Sequence, residues 1–356
     1  MSGGKWRALV LGLSVWAGAT QAAEPQKEDF ALRPHLRLVG APLLRPFLEA
    51  SARHFTASAD VAEPEIRTLN TGLAIESFCA GTGPEQVDVV AIPRRLTRSE
   101  MRRCRENGVA AIIQVAIGQE SVVLVTKTDA PALSLTSEQI YRALALEVPR
   151  DGVFYTNVSR RWKDVDRTLP DRPIKVFTTA PATGPRSLLE DKVWQAGCRG
   201  IPELGAIFAA DLRVQRCIAP REDDRLTVVV SETAALAALD NENPGAIAVV
   251  SRHVADTAPQ RYQSVAIDGL LPTVQSIEKG EYALSRRYFY YFKIAHMRDR
   301  KGYGVARGLR EFLSDVVSEQ AMDPGGYFER QGLIPPPPED RARQRLDCLL
   351  LRPMER

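Results

Sequence analysis

The chain has 356 residues, of which 44% are hydrophobic, 26% charged and 7% aromatic. That composition excludes disordered, collagen-like and low-complexity classes, and the length calls for one large or two medium domains. With 47 basic and 44 acidic residues the net charge is +3, which gives no support to a protein that binds nucleic acid by neutralising phosphates.

The chain opens with Lys5 and Arg7, then a short apolar run over 8–19 and the small residues Ala19, Thr20, Ala22 and Ala23. This is the pattern of a secretory signal peptide, with cleavage expected after Ala22. The run is shorter than the roughly 20 residues of a membrane span. No other segment reaches that length free of charge, so an exported, soluble mature protein is expected.

Beyond residue 30, β-rich runs alternate with helical stretches, the signature of an α/β fold. Strands are expected at 35–40, 65–70, 87–92, 110–118 and 121–127, then at 173–178, 226–231, 246–251 and 288–293. Helices are expected at 43–55, 72–79, 99–107, 137–146, 186–196, 232–239 and 304–319. Thr97 and Glu100 form a capping box before the third of these, and Gly108 stops it. Pro185 opens the helix near 186, and Gly197 follows its end. Gly118, Gln119 and Glu120 interrupt the apolar run 110–127 and divide it into two strands. A similarly dense strand pattern returns at 283–292. The chain is therefore expected to leave a first lobe and re-enter it, through crossings near 117–121 and 281–287. Residues 30–118 with 284–336 would form lobe 1, and 121–280 lobe 2, with a ligand cleft between them. Pro335 to Pro338 read as a stiff stop, and 337–356 as a basic, partly amphipathic appendage.

Export allows disulfides to persist. Pairing Cys79 with Cys104 and Cys198 with Cys217, leaving Cys348 over, is the simplest of several arrangements open to five cysteines. Buried, reduced thiols are the alternative. Neither pair has CxxC spacing, so metal and redox sites get little weight. The four histidines, His35, His54, His253 and His296, form no HExxH pair, and neither a GxSxG elbow nor a GxxxxGK[ST] loop is present. Cys348 lies beyond the apparent fold. No enzyme activity and no cofactor are expected.

Four segments stand in order: Val39 to Phe47 (VGAPLLRPF), Thr68 to Gly81 (TLNTGLAIESFCAG), Asp88 to Leu96 (DVVAIPRRL) and Thr178 to Asp191 (TTAPATGPRSLLED). Together they resemble the PstS-type periplasmic phosphate-binding receptors of ABC importers, which have the type II periplasmic-binding-protein fold. The resemblance extends from about residue 35 to 336. It implies a two-lobed α/β receptor for a small oxyanion, phosphate foremost, in the periplasm. It also implies a monomer that docks on a membrane permease. Cysteines at matching positions in these relatives favour the two local bridges.

Position by position, the resemblance retains Thr71, Gly72, Arg94, Arg95, Thr183, Gly184 and Arg186 as ligand-binding residues. Helix starts near Pro42, Thr71-Gly72 and Thr183-Gly184 would aim N–H groups at an anion. Arg94 and Arg186 would add planar, charge-assisted forks. The departures fall on the same motifs. Ala41, Pro42 and Leu43 replace small hydroxyl residues, Leu73 and Ala74 replace glycines, and Pro93 stands where a serine is usual. Pro42 and Pro185 each remove one N–H from a first turn. Asp223 and Asp224 lie near another polar loop of the family, yet no carboxylate stands out as acceptor for the proton of monohydrogen phosphate. Weaker oxyanion binding and poor rejection of sulfate are expected. Other readings remain for the same residues: Thr71 and Thr183-Gly184 as plain helix caps, Arg186 as an ion-pair partner of Glu190, Arg98 to Arg105 as a solvated face. For the whole protein, the alternative is a diverged receptor-like module that binds another ligand or none and acts as a sensor or partner-binding unit.

Overall fold

The computed structural model describes Met1 and residues 32–58, 61–151, 153–181, 184–207, 209–297 and 304–354. Leu32–Arg356 forms one compact unit. The expected leader, Met1 aside, lies outside the described residues.

Among the described residues, nine strands make the main sheet: β1 (Arg37–Gly40), β2 (Glu65–Thr68), β3 (Val89–Ile92), β4 (Ile112–Lys127), β5 (Val176–Thr179), β6 (Leu226–Val229), β7 (Ile247–Ser251), β8 (Tyr262–Ser264) and β9 (Ser285–Lys293). Their order is β2-β1-β3-β9-β4-β7-β5-β6, with β8 also on β4. β1 runs parallel to β2 and β3, and β5 parallel to β7 and β6. Between these parallel sets, β9 pairs antiparallel with β3 and β4, and β4 antiparallel with β7. The arrangement is the two-lobed α/β fold expected from the sequence.

β4 is one continuous strand. The expected break at Gly118-Gln119-Glu120 becomes a register shift against β9 at Tyr288/Phe289, an irregularity that bends the ladder without ending it. Gly118 is required there, because a Cβ would lie 2.9 Å from both Ile334 O and Leu333 Cβ.

Alternation along the two long strands separates four cores. Ile113, Val115 and Ile117 of β4 join Tyr288, Tyr290 and Phe292 of β9 under α1 (Arg45–Ser58) and the helix Leu309–Val316. Phe289 and Tyr291 face α2 (Thr71–Phe78) and the Cys79–Cys104 region. Farther along β4, Val122 and Leu124 pack with Trp162, Leu188 and Trp194, while Val123 and Val125 meet Phe177 and Leu236 on the other face.

Disulfides join Cys79 to Cys104 and Cys198 to Cys217. The first ties α2 to α3 (Arg98–Glu106), whose capping box at Thr97 and Glu100 forms as expected. The C-terminal segment is not an appendage. Pro338–Leu349 is a helix whose Gln344 Oε1 accepts the Ala116 N–H of β4 at 2.5 Å, and Cys348 is buried in the core of β4 and β9. The expected helix over 304–319 is shorter, because Gly308 in a left-handed conformation precedes Leu309.

A buried ionic knot holds the start of the unit. Asp88 takes Arg33 Nη2 at 2.5 Å, the Arg37 N–H at 2.6 Å and His296 Nδ1 at 2.7 Å, so its charge is matched on several sides. Nearby, Lys293 donates to Gly81 O at 2.6 Å above the Phe78 ring. Burial lowers the Lys293 pKa from 10.5 to about 8. The unfolded chain then binds more protons than the native one between those values, so stability increases with pH across that window. Unfolding free energy measured by denaturant titration should increase from pH 8 to 10, and Lys293→Met should flatten the increase. A flat profile for the unaltered protein would contradict the buried ammonium.

Candidate functional site

A cavity of about 630 Å³ opens beside the β4–β9 seam. Pro93 and Arg94, just past β3, line it on one side, and Lys192 and Lys279 come from the segment between β4 and β9. Gln119 of β4 with Ser285, Arg286 and Arg287 of β9 form its floor. Five cationic side chains thus surround one concave space, converging from elements distant in sequence.

The cations are held differently. Arg94 makes a two-pronged contact with Glu100 at 2.8 and 2.9 Å. Arg286 Nε donates to Glu120 Oε2 at 2.8 Å, and the Tyr288 hydroxyl donates to the same oxygen. Burial, with Glu120 alongside, pushes the Tyr288 phenol well above its ordinary value, so it stays a donor. Arg287 Nη2 donates to Glu278 O at 3.1 Å. Lys192 is exposed at the rim.

The helix from Gly184 begins beside this cluster. A Cβ on Gly184 would lie 3.0 Å from Glu120 Oε1, and Gly184 O accepts Arg286 Nη2 at 3.4 Å. Of the residues expected at the ligand, Arg94 therefore lines the cavity and Gly184 adjoins its floor. Arg95 stacks at 5.8 Å on Phe289, itself a lining residue. Thr183 lies outside the described residues.

Arg186 points into the protein. It is 1% exposed, donates to Glu190 Oε1 at 2.5 Å and stacks on Trp194 at 4.3 Å. Thr71 and Gly72 begin α2, but neither lines the cavity, and Asn70 supplies the cap by accepting the Leu73 N–H at 2.9 Å. The turn after β1 has few donors left. The Ala41 N–H is bonded to Ala91 O at 3.1 Å, and the Leu44 N–H to Ala41 O at 2.8 Å, while Pro42 has none. Asp223 is occupied by Arg221 and Arg225.

Sequence reasoning passed over Lys192, Lys279, Arg286, Arg287 and Gln119. A signal existed for three of them, since Gln119, Arg286 and Arg287 lie within the two expected crossings. A second cavity, about 440 Å³, is a poorer anion site. Its Arg252 and Arg341 are paired with Asp256 and Asp323, and Glu278 and Glu329 also line it.

The chain belongs to the family described as the PBP superfamily domain, whose model matches residues 18–320. Its likeness to PstS-type receptors is borne out by curated relatives. The phosphate-binding protein PstS of Staphylococcus epidermidis is 22% identical over 335 residues, covering 91% of this chain and 88% of that protein. Among solved structures, a possible phosphate binding protein from Planctomyces limnophilus superposes with a TM-score of 0.66 at 18% identity, over 90% of this chain and 100% of that one. PstS from Borrelia burgdorferi does so with a TM-score of 0.59 at 14% identity, over 85% and 99%. These structural likenesses concern the fold.

The Arg94–Glu100 contact has a direct readout. Its hydrogen bonds hold the Glu100 carboxyl at about 2, below its ordinary value of 4.5. Carboxyl-carbon NMR should follow Glu100 titrating near pH 2, and Arg94→Ala should move the midpoint up toward the ordinary value. An ordinary midpoint in the unaltered protein would show that Arg94 is not held by Glu100.

Proposed function

We propose that the chain is an exported solute-binding protein that captures phosphate or a related oxyanion and delivers it to an ABC permease at the inner membrane. The observation that carries this reading is the convergence of Arg94, Lys192, Lys279, Arg286 and Arg287 on one cavity beside the seam of the sheet. In this reading residues 1–22 are a cleaved signal peptide and the mature protein is a periplasmic monomer. Residues 30–118 with 284–336 form one lobe and 121–280 the other. The names of the curated relatives support phosphate as the ligand class.

Capture needs no bond to be made or broken, and no cofactor. An open–closed equilibrium pre-exists, and the anion favours the closed form because it then touches cations from both lobes. Arg94, backed by Arg95, would approach from lobe 1. Lys192, Lys279 and the helix start at Gly184 would approach from lobe 2, with Thr183 as a further ligand residue. Thr71 and Gly72, in the first turn of α2, would supply further N–H groups from lobe 1, and Arg186 would brace the helix through Glu190. Glu120 holds Arg286 in place as its counter-ion.

The test is calorimetry of the mature protein with phosphate. Lys192→Ala should weaken binding by about tenfold or more, since a charged hydrogen bond contributes roughly 1.5–3 kcal/mol. Arg103→Ala, on the exposed face of α3, should leave the affinity unchanged. Absence of heat and of any melting shift with phosphate, arsenate or sulfate at millimolar concentration would overturn the receptor reading in favour of a sensor or partner-binding module.

A further inference from the structure

We propose that residues 332–336 form a strut against the hinge that stabilises the open form, and so sets ligand affinity from outside the cavity. The inference rests on the two-lobed receptor reading above. Its basis is a third segment at the crossing. β4 passes between the lobes at Gln119, which faces Arg287 of β9 on one edge. On the other edge stands Ile334. Its N–H donates to Gln119 O at 2.8 Å, and its carbonyl accepts the Gln119 N–H at 2.9 Å. The approach is close, since Leu333 Cβ and Ile334 O leave no room for a Cβ on Gly118.

Two neighbouring side chains divide between the lobes. Leu333 is buried in the lobe 1 core with Tyr288 and Phe328, while Ile334 packs against the lobe 2 core of Val122 and Trp162. Both ends of the strut are anchored on lobe 1. Ahead of it, Tyr327 and Phe328 lie in the lobe 1 core. Behind it, the helix Pro338–Leu349 is fixed by Gln344 to Ala116, and by Arg341 and Arg345 to Asp323 at 2.7 and 2.5 Å. Pro335 to Pro338 stiffen the link between them. Toward lobe 2 the strut has few contacts. The cavity of about 440 Å³ separates it from Arg252, Val274 and Glu278. Besides Ile334, the close approach is at Gly332, where a Cβ would lie 3.3 Å from His253 Cβ.

The strut and the ligand cavity are on opposite edges of β4. The cavity of about 630 Å³ is lined by β9, the one of about 440 Å³ by the strut, and the two share no lining residue. A rotation that closes the lobes over the β9 edge draws them apart on the Ile334 edge. Closure therefore costs the packing of Ile334 on lobe 2, which the open form keeps. A ligand must offset that loss, because it shifts the equilibrium only by its differential affinity for the two forms.

The test is Ile334→Ala in the full mature protein, read by small-angle X-ray scattering without ligand and by calorimetry with phosphate. The unliganded radius of gyration should fall toward that of the phosphate-bound protein. Phosphate should bind at least about threefold more tightly, although no group lining its cavity has changed. His253→Ala removes the second contact at an exposed position, so it spares the core and should act in the same direction. A cooperative melt checks that each variant is folded. An unliganded radius unchanged in both folded variants would overturn the strut, and so would weaker phosphate binding in either. A radius that falls in the variants, when neither they nor the unaltered protein bind phosphate, would keep the strut and remove the receptor reading.

Discussion

The β4–β9 ladder is the constraint on which everything else depends. β4 alone contributes side chains to four separate cores, and β9 supplies aromatic residues to two of them. Where its register against β4 shifts, the charged groups of the cavity floor are set side by side. Arg286 is fixed against Glu120 there, and the Tyr288 hydroxyl shares the same carboxylate. Both strands are buried on both faces along much of their length, and the walls are tied to this floor through Arg287 to Glu278 O and Arg286 to Gly184 O.

Charge in this protein is managed by distance from water. Where β3 begins and β9 ends, Asp88 is buried with three donors and Lys293 gives up part of its basicity to burial. At the cavity, Arg94 and Arg286 have carboxylate partners that orient them and offset part of their charge. Lys192 and Lys279 at the rim have no ion-pair partner among the described residues, which leaves more cationic than anionic side chains lining the space. The turn after β1, which does not line this cavity, is poor in free donors, since the Ala41 N–H is bonded to Ala91 O.

Much of the architecture was legible in the sequence because period and punctuation are local. The alternating runs at 35–40, 65–70 and 87–92 became β1 to β3, and Thr97 with Glu100 capped α3 as that motif requires. β4 was misread as two strands because Gly118 signals a break, whereas a strand tolerates a glycine where Leu333 and Ile334 crowd against it. Cys348 and the C-terminal helix were misjudged because a helix with a modest apolar face gives no hint of what it packs on. Motif frames located Arg94 and Gly184 near the cavity, but not the direction of Arg186. Its partner Glu190 was visible one turn away, and packing against Trp194 drew the guanidinium inward. The cluster of Lys192, Lys279, Arg286 and Arg287 was hidden because its members converge only through the ladder.

Whether this cavity is a cleft that closes on an anion decides the account. Small-angle X-ray scattering of the mature protein with and without saturating phosphate measures that directly. The account predicts a smaller radius of gyration with ligand, and a muted change in the Lys192→Ala, Lys279→Ala double variant. An unchanged radius, in a sample where calorimetry shows the ligand bound, would contradict closure of the two lobes around an oxyanion.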